Sequence, residues 1–276
     1  MHPAHTASSG LRGGRGTWPV VVSSPRPSGP PEAHEPLAAG GCTVVRCMVV
    51  LLPPDRHNRA MPTLADLTHC AAGHLTDYTN PTGTRAFSSY DRQGDSKVLE
   101  PVDFFAPALL DAPVRGQHVR NMYLPSGAYR DLRNAMDRLL ADEAASTAEF
   151  KNQDVTADTG PWSLVNIALV ASNRTPGIKA SKVTKILHRK RPALVPIFDS
   201  RVAAFYGLSP RKPWDFWPAI QGELRQHGEW LRQLTKDTLT PDGRSLTDLR
   251  TLDIIVWEHA TSGCTELSWP GTVEQV

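Results

Sequence analysis

Beyond Met61, apolar residues recur at three- and four-residue intervals along most of the chain, and this periodicity predicts helices. Asp103 is placed to cap a short apolar helix, FFAPALLDA, which Pro113 stops. Ser126 is placed to cap the next, with Tyr129, Leu132, Met136, Leu139 and Leu140 along one face. Thr159 precedes Gly160 and Pro161, and proline near a first turn suits a helix start. The run Leu164, Val165, Ile167, Ala168, Leu169 and Val170 is apolar on most sides, which predicts the central buried helix. Val183, Ile186 and Leu187 mark the inward face of the helix after it, ended by Pro192. Asp199 starts a short helix holding Val202, Phe205 and Tyr206. Pro213 opens a long one with a stripe of Trp214, Trp217, Ile220, Leu224, Leu231 and Leu234. Ser245 is expected to cap the last helix, with Asp248 in its first turn and Leu249, Leu252, Ile255 and Val256 on one face.

Alternation of period two is nowhere sustained; residues 76–100 offer at most a short hairpin, and no internal repeat appears. The pattern predicts a mainly α protein with a single helical domain over residues 61–265, long enough to bury a substantial core. Residues 1–60 read differently. Gly, Pro, Ser and Arg dominate, as in SSGLRGGRG and SSPRPSGPPEAHEP, and too little apolar surface is present to offset ordering entropy. They are expected to be a disordered tail or an over-long translation start, with Met61 as the true first residue, and residues 266–276 a flexible C-terminal tail.

Net charge is +2 over 276 residues, so the whole molecule is no polycation. Locally the balance differs: from Gly177 to Lys212 nine Lys or Arg face one acid, Asp199. Such a patch suits a polyanion, and equally a solvated helix face. The four cysteines, Cys42, Cys47, Cys70 and Cys264, form no C-x-x-C pair and no Cys/His cluster of zinc spacing. They read as isolated thiols in a reducing cytoplasm, with neither metal nor cofactor expected. The apolar run Met48–Leu52 is too short to span a bilayer and lacks the flanks of a signal peptide, so no membrane partner is expected.

The candidate chemistry lies in Thr175–Tyr206, TPGIKASKVTKILHRKRPALVPIFDSRVAAFY. A Pro-Gly hairpin there opens a basic amphipathic helix, whose free N–H groups would grip a phosphate without reading sequence. Gly177, Ile178, Lys179, Ser181 and Lys182 form the grip, with Lys185, Arg189 and Lys190 further along the helix. Asp199 follows across a short link, as a helix cap, as an acid that activates water or stabilises a cationic sugar, or as both. Trp214 and Trp217, three residues apart, read as core rather than as a stacking platform. His188 reads as a surface residue, and Asp103, Asp111 and Asp253 as caps or surface acids.

Pro176-Gly177-Ile178 followed by Val195-Pro196-Ile197-Phe198-Asp199 resembles the helix–hairpin–helix DNA glycosylases, in which an apolar-Pro-apolar-apolar-Asp segment delivers the catalytic acid. Gly177 and Asp199 are 22 positions apart, a spacing similar to that of the adenine-mismatch branch. The resemblance implies a glycosylase-like helical fold, DNA as partner, and Asp199 as the catalytic residue. Lys179 stands where that family has its second hairpin glycine. Ser181 stands where its lyase members carry a Schiff-base lysine, which implies hydrolysis by water. VDFFAPALLDAPV, the hairpin stretch and LTDLRTLDIIVWE together resemble a family of uncharacterised proteins from GC-rich actinobacteria, over most of residues 61–260. Two functions follow as expectations: DNA binding with an N-glycosylase-like activity, or a non-catalytic interaction or regulatory module that keeps only the fold.

Overall fold

The computed structural model describes residues 62–94 and 96–264. The expectations of an N-terminal tail over 1–60, a start at Met61 and a C-terminal tail over 266–276 lie outside these residues. Among the described residues the protein is helical, with no strand and one isolated antiparallel bridge, Leu239 to Ser245. Ten α-helices run in the order α1 Ala71–Thr79, α2 Phe87–Tyr90, α3 Gly116–Asn121, α4 Ala128–Ala141, α5 Glu143–Thr147, α6 Pro161–Arg174, α7 Ala180–Lys190, α8 Ser200–Phe205, α9 Pro213–Thr235 and α10 Asp248–Ser262. Among the described residues no helix is long and apolar enough to cross a membrane.

α4 and α6 pack on each other along the stripes that their spacing predicts. Leu132, Met136 and Leu139 of α4 are buried, as are Trp162, Val165 and Leu169 of α6. α6 is not the central helix, however. Ile167 and Val170, three residues apart and so on one face, are 44 % and 46 % exposed. The central position belongs to α10, where every residue from Leu249 to Val256 is buried and which touches α1, α8 and α9. An aromatic wedge fills the space under α9: the Trp217 ring centroid lies 5.5 Å from that of Trp162 and 5.8 Å from that of Phe198. Trp214 departs from the predicted stripe and is 43 % exposed.

Two helix starts shift by one or two residues. α4 begins after Gly127 rather than at Ser126, while α6 begins at Pro161, where proline near a first turn placed it. α10 is capped by Thr247, whose hydroxyl accepts the Arg250 N–H at 3.2 Å, while Ser245 sits in the bridge. The predicted FFAPALLDA helix is instead two 3-10 turns, Pro101–Phe104 and Ala106–Leu110, ended by Asp111 in the left-handed region. Pro107 removes the donor that would close the first turn of an α-helix capped by Asp103, and tighter single turns result. Residues 76–100 hold α1 and α2 instead of a hairpin.

Candidate functional site

α6, a tight turn and α7 form the predicted pair of helices around Gly177. The turn takes Gly177 through φ = 71°, a region costly for any side chain, and an added Cβ there would sit 2.3 Å from His118 Cε1. Lys179, in place of a second glycine, has φ = −111°, which any residue adopts. The start of α4 straps the turn: Tyr129 Oη donates to the Pro176 carbonyl at 2.9 Å and Thr175 Oγ1 to the Ala128 carbonyl at 3.1 Å. At the exposed tip, Lys179 Nζ donates to the Asn173 carbonyl and Lys182 Nζ to the Gly177 carbonyl, both at 2.8 Å. No side chain caps the N-terminus of α7. Exposed Arg115 stands close by: burial and then its charge hold Lys182 below the usual lysine range. Burial, followed by the charges of Lys182 and Arg115, also lowers His118. The tip is thus a cationic cluster.

The rest of the basic helix turns inward. Lys185, expected at the phosphate grip, is buried; its Nζ donates to Asp199 Oδ2 at 2.8 Å and to the Leu110 carbonyl at 2.7 Å. Arg189, also expected there, binds Asp103 Oδ1 at 2.6 Å and the Tyr90 carbonyl. Lys190 reaches Asp103 Oδ2 at 2.8 Å, and Arg191 donates to the carbonyls of Ser96 and Leu140, each at 2.6 Å. The two buried lysines pair with carboxylates, and the buried Arg191 guanidinium is held by carbonyls alone, which satisfies these cations inside the protein apart from Arg191 Nε. Ile178 belongs to the core and Ser181 is half-buried at the first turn of α7. Of the expected phosphate-gripping set, Gly177, Lys179 and Lys182 remain at the surface.

Asp199 caps α8, accepting the Arg201 N–H at 2.9 Å, and pairs with Lys185 through its other oxygen. It also lines a cavity of about 160 Å³. Lys185, Ile197, Arg250, Asp253 and Trp257 share that wall with Tyr78, Arg85 and the segment Leu109–Asp111. A cavity of about 150 Å³ admits a molecule the size of benzene, so one flat ring fits here. The Arg85 and Arg201 guanidinium groups lie 5.4 and 5.3 Å from the Trp257 ring centre, placing cations over an aromatic face beside the cavity.

Behind Asp199 lies a second carboxylate. Asp253 is buried and takes an ion pair from Arg250 Nη1. Burial pushes its carboxyl up to about 6; Asp199 adds to the rise, and Arg250 and Lys185 oppose it. Arg250 is itself fully committed: Nε and Nη2 bind Asp91 at 2.7 and 2.9 Å, Nη2 also donates to Tyr78 Oη, and the rings of Tyr78 and Tyr90 flank its guanidinium at 5.1 and 5.0 Å. His188 is buried too, with Nδ1 2.7 Å from the Val195 carbonyl. Burial, then the charge of Arg250, presses it down to about 3, so the ring is neutral and donates Nδ1–H.

Sequence spacing therefore misplaced two residues, His188 and Asp253, and saw only the capping half of Asp103. His188 and Asp253 are interior groups, and Asp103 combines a capping role with two buried ion pairs. Asp111 lines the cavity from the exposed side. Arg250 and Asp253 lie three residues apart on the polar side of LTDLRTLDIIVWE, and nothing local to that segment says that this side is buried. Cys70 and Cys264 are also not isolated, being joined at 2.01 Å beside His74 and His259. The pairing spans 194 positions, which a search for neighbouring cysteines misses.

Fold and site together define a helical protein with a cationic helix start and a ring-sized cavity bearing two unlike carboxylates. The chain belongs to a family of unknown function, DUF6308, whose model matches residues 71–260. Comparison with curated proteins and with solved structures finds no match.

Proposed function

We propose that the protein binds nucleic acid, DNA in the first instance, at the tip formed by Gly177, Lys179, Lys182 and Arg115, and that the cavity cleaves an N-glycosidic bond by hydrolysis. In this reading the fold is of helix–hairpin–helix glycosylase type. One observation carries it: two segments lead from the tip to the cavity. α7 runs from Lys179 to Lys185, about 9 Å along its axis, and residues 111–115 connect the cavity wall to Arg115. A strand held by a phosphate at the tip would have a base within reach of the cavity. Asp199, ion-paired with Lys185, would stabilise positive charge on the sugar. Asp253, balanced near neutral pH, would hold or release the proton that departs with the base.

Fluorescence anisotropy with a labelled duplex tests the first half. Binding is expected to weaken steeply with salt, and Lys179→Ala/Lys182→Ala to reduce the log–log salt slope by about 2. Incubation with damaged and mismatched duplexes, scored for abasic sites, tests the second. Absence of duplex binding at low salt ends the reading; binding without base release in any duplex removes the catalytic half.

A second reading, a non-catalytic module, is favoured by the commitment of both Asp199 oxygens within the protein. It predicts that Asp199→Asn lowers the melting temperature and changes nothing else. The catalytic reading predicts lost base release with duplex binding intact.

A further inference from the structure

Four potential metal donors converge where α1 begins and α10 ends. Cys70 is the N-cap residue of α1 and His74 lies one turn on; His259 is in the last turn of α10, and Cys264 follows Gly263, whose φ of 69° turns the chain back. One donor atom from each of the four lies within 4.8 Å of every other. His259 Nδ1 is 3.3 Å from Cys264 Sγ. Cys70 and His74 are buried, 8 % and 6 % exposed, and His74 Nε2 is a buried nitrogen with no hydrogen-bond partner. Such an orphan in a cluster of soft donors points to a ligand.

We propose that, once the Cys70–Cys264 bond is reduced, these four residues bind one zinc ion. Two thiolates and two imidazoles suit zinc in chemistry and number, and four protein ligands make a closed, structural site. Zinc bonds of about 2.0–2.3 Å place tetrahedral donors about 3.3–3.8 Å apart, so the cluster needs to contract by only about an ångström on its longest edge and to part its sulfurs. The chemistry balances with a dithiol as reductant. Thiol–disulfide exchange delivers two electrons and two protons to the sulfurs while the dithiol closes to its own cyclic disulfide. Zinc then takes both sulfurs as thiolates, releasing two protons to solvent, and the two negative charges neutralise the ion. Disulfide and metal are thus alternative clasps on the same pair of helices. That pair carries Tyr78, Arg250, Asp253 and Trp257 to the cavity, so either clasp fixes its walls.

The test is cobalt titration of the full chain in a Cys42→Ser/Cys47→Ser background, which leaves this pair as its only cysteines. One sample is reduced with excess dithiothreitol and desalted without oxygen; the other is left oxidised, and thiols are counted in both. The reduced chain is expected to take up one equivalent of cobalt, with tetrahedral d–d bands and thiolate charge transfer that zinc abolishes. The oxidised chain is expected to take up none. His74→Asn or His259→Asn should weaken cobalt binding by about 100-fold or more. The proposal is overturned if the reduced chain, with two free thiols and unchanged helical circular dichroism, gives no tetrahedral cobalt spectrum. It is equally overturned if either histidine variant binds as tightly as the parent.

Discussion

Replacing Asp253 by Asn should change how stability depends on pH. The folded protein pushes this carboxyl from an ordinary 3.8 up to about 6, chiefly by burial, with Asp199 reinforcing and Arg250 and Lys185 opposing. The folded state therefore holds the proton more tightly than the unfolded chain. Its contribution is complete below pH 4 and is lost as pH rises through 6. A gap of about two pH units corresponds to about 3 kcal/mol, a sizeable part of the 5–15 kcal/mol that holds a domain folded. Urea unfolding followed by circular dichroism at pH 3, 4, 5, 6 and 7 measures it, provided that the slope with urea stays constant. The quantity to read is the stability of the parent minus that of Asp253→Asn, because groups titrating elsewhere cancel in the difference. The ion pair to Arg250 forms only with the ionised carboxylate, so its loss is already contained in the curve as one of the influences that hold the value down to about 6. The difference should fall by about 3 kcal/mol from pH 3 to pH 7, with most of the fall between pH 4 and pH 6. A flat or rising difference would refute the burial argument, and with it the use of Asp253 as a proton carrier in the cavity.

His188 should act with opposite sign: its folded value near 3 lies below the ordinary 6.5, so its contribution is present above pH 6.5 and falls as the medium is acidified towards 3. His188→Gln should therefore flatten acid unfolding between pH 6.5 and pH 4 by about 3 kcal/mol, as read by the same assay. Arg250→Met strands Asp91 and Asp253 in the interior and should cost about 3–5 kcal/mol, measured as a drop in melting temperature. Gly177→Ala forces a Cβ against His118 at positive φ and should destabilise by about 1–3 kcal/mol. It should also weaken duplex binding more than Ile178→Val does.

The helical plan was legible because apolar spacing records which face is buried; α4 and α7 follow it, and so does α9 apart from Trp214. Helix starts were less so: Gly127 and Thr247 do, by backbone conformation or by a neighbouring hydroxyl, what Ser126 and Ser245 were placed to do, although Pro161 did mark the start of α6. The basic run misled for a physical reason. Local charge density does not say whether a cation has a partner, and the partners of Lys185, Arg189 and Lys190 lie 14, 86 and 87 positions away. The same holds for α6, which looked central by composition yet turns Ile167 and Val170 outward. Of the candidate site, Asp199 and the turn at Gly177 could be named from local sequence. The cavity could not, because its walls come from six separate stretches of chain.

The pairing of Asp91 with Arg250 has a kinetic corollary. These side chains are 159 residues apart, and Tyr78 waits 172 residues for the same guanidinium. A ribosome emitting the chain from its N-terminus will have released α1 and α2 long before the residue that neutralises them exists. Those early helices must stay unsettled until Arg250 has been made, so nascent chains stalled short of residue 250 should be degraded readily by added protease while chains carried well past it resist.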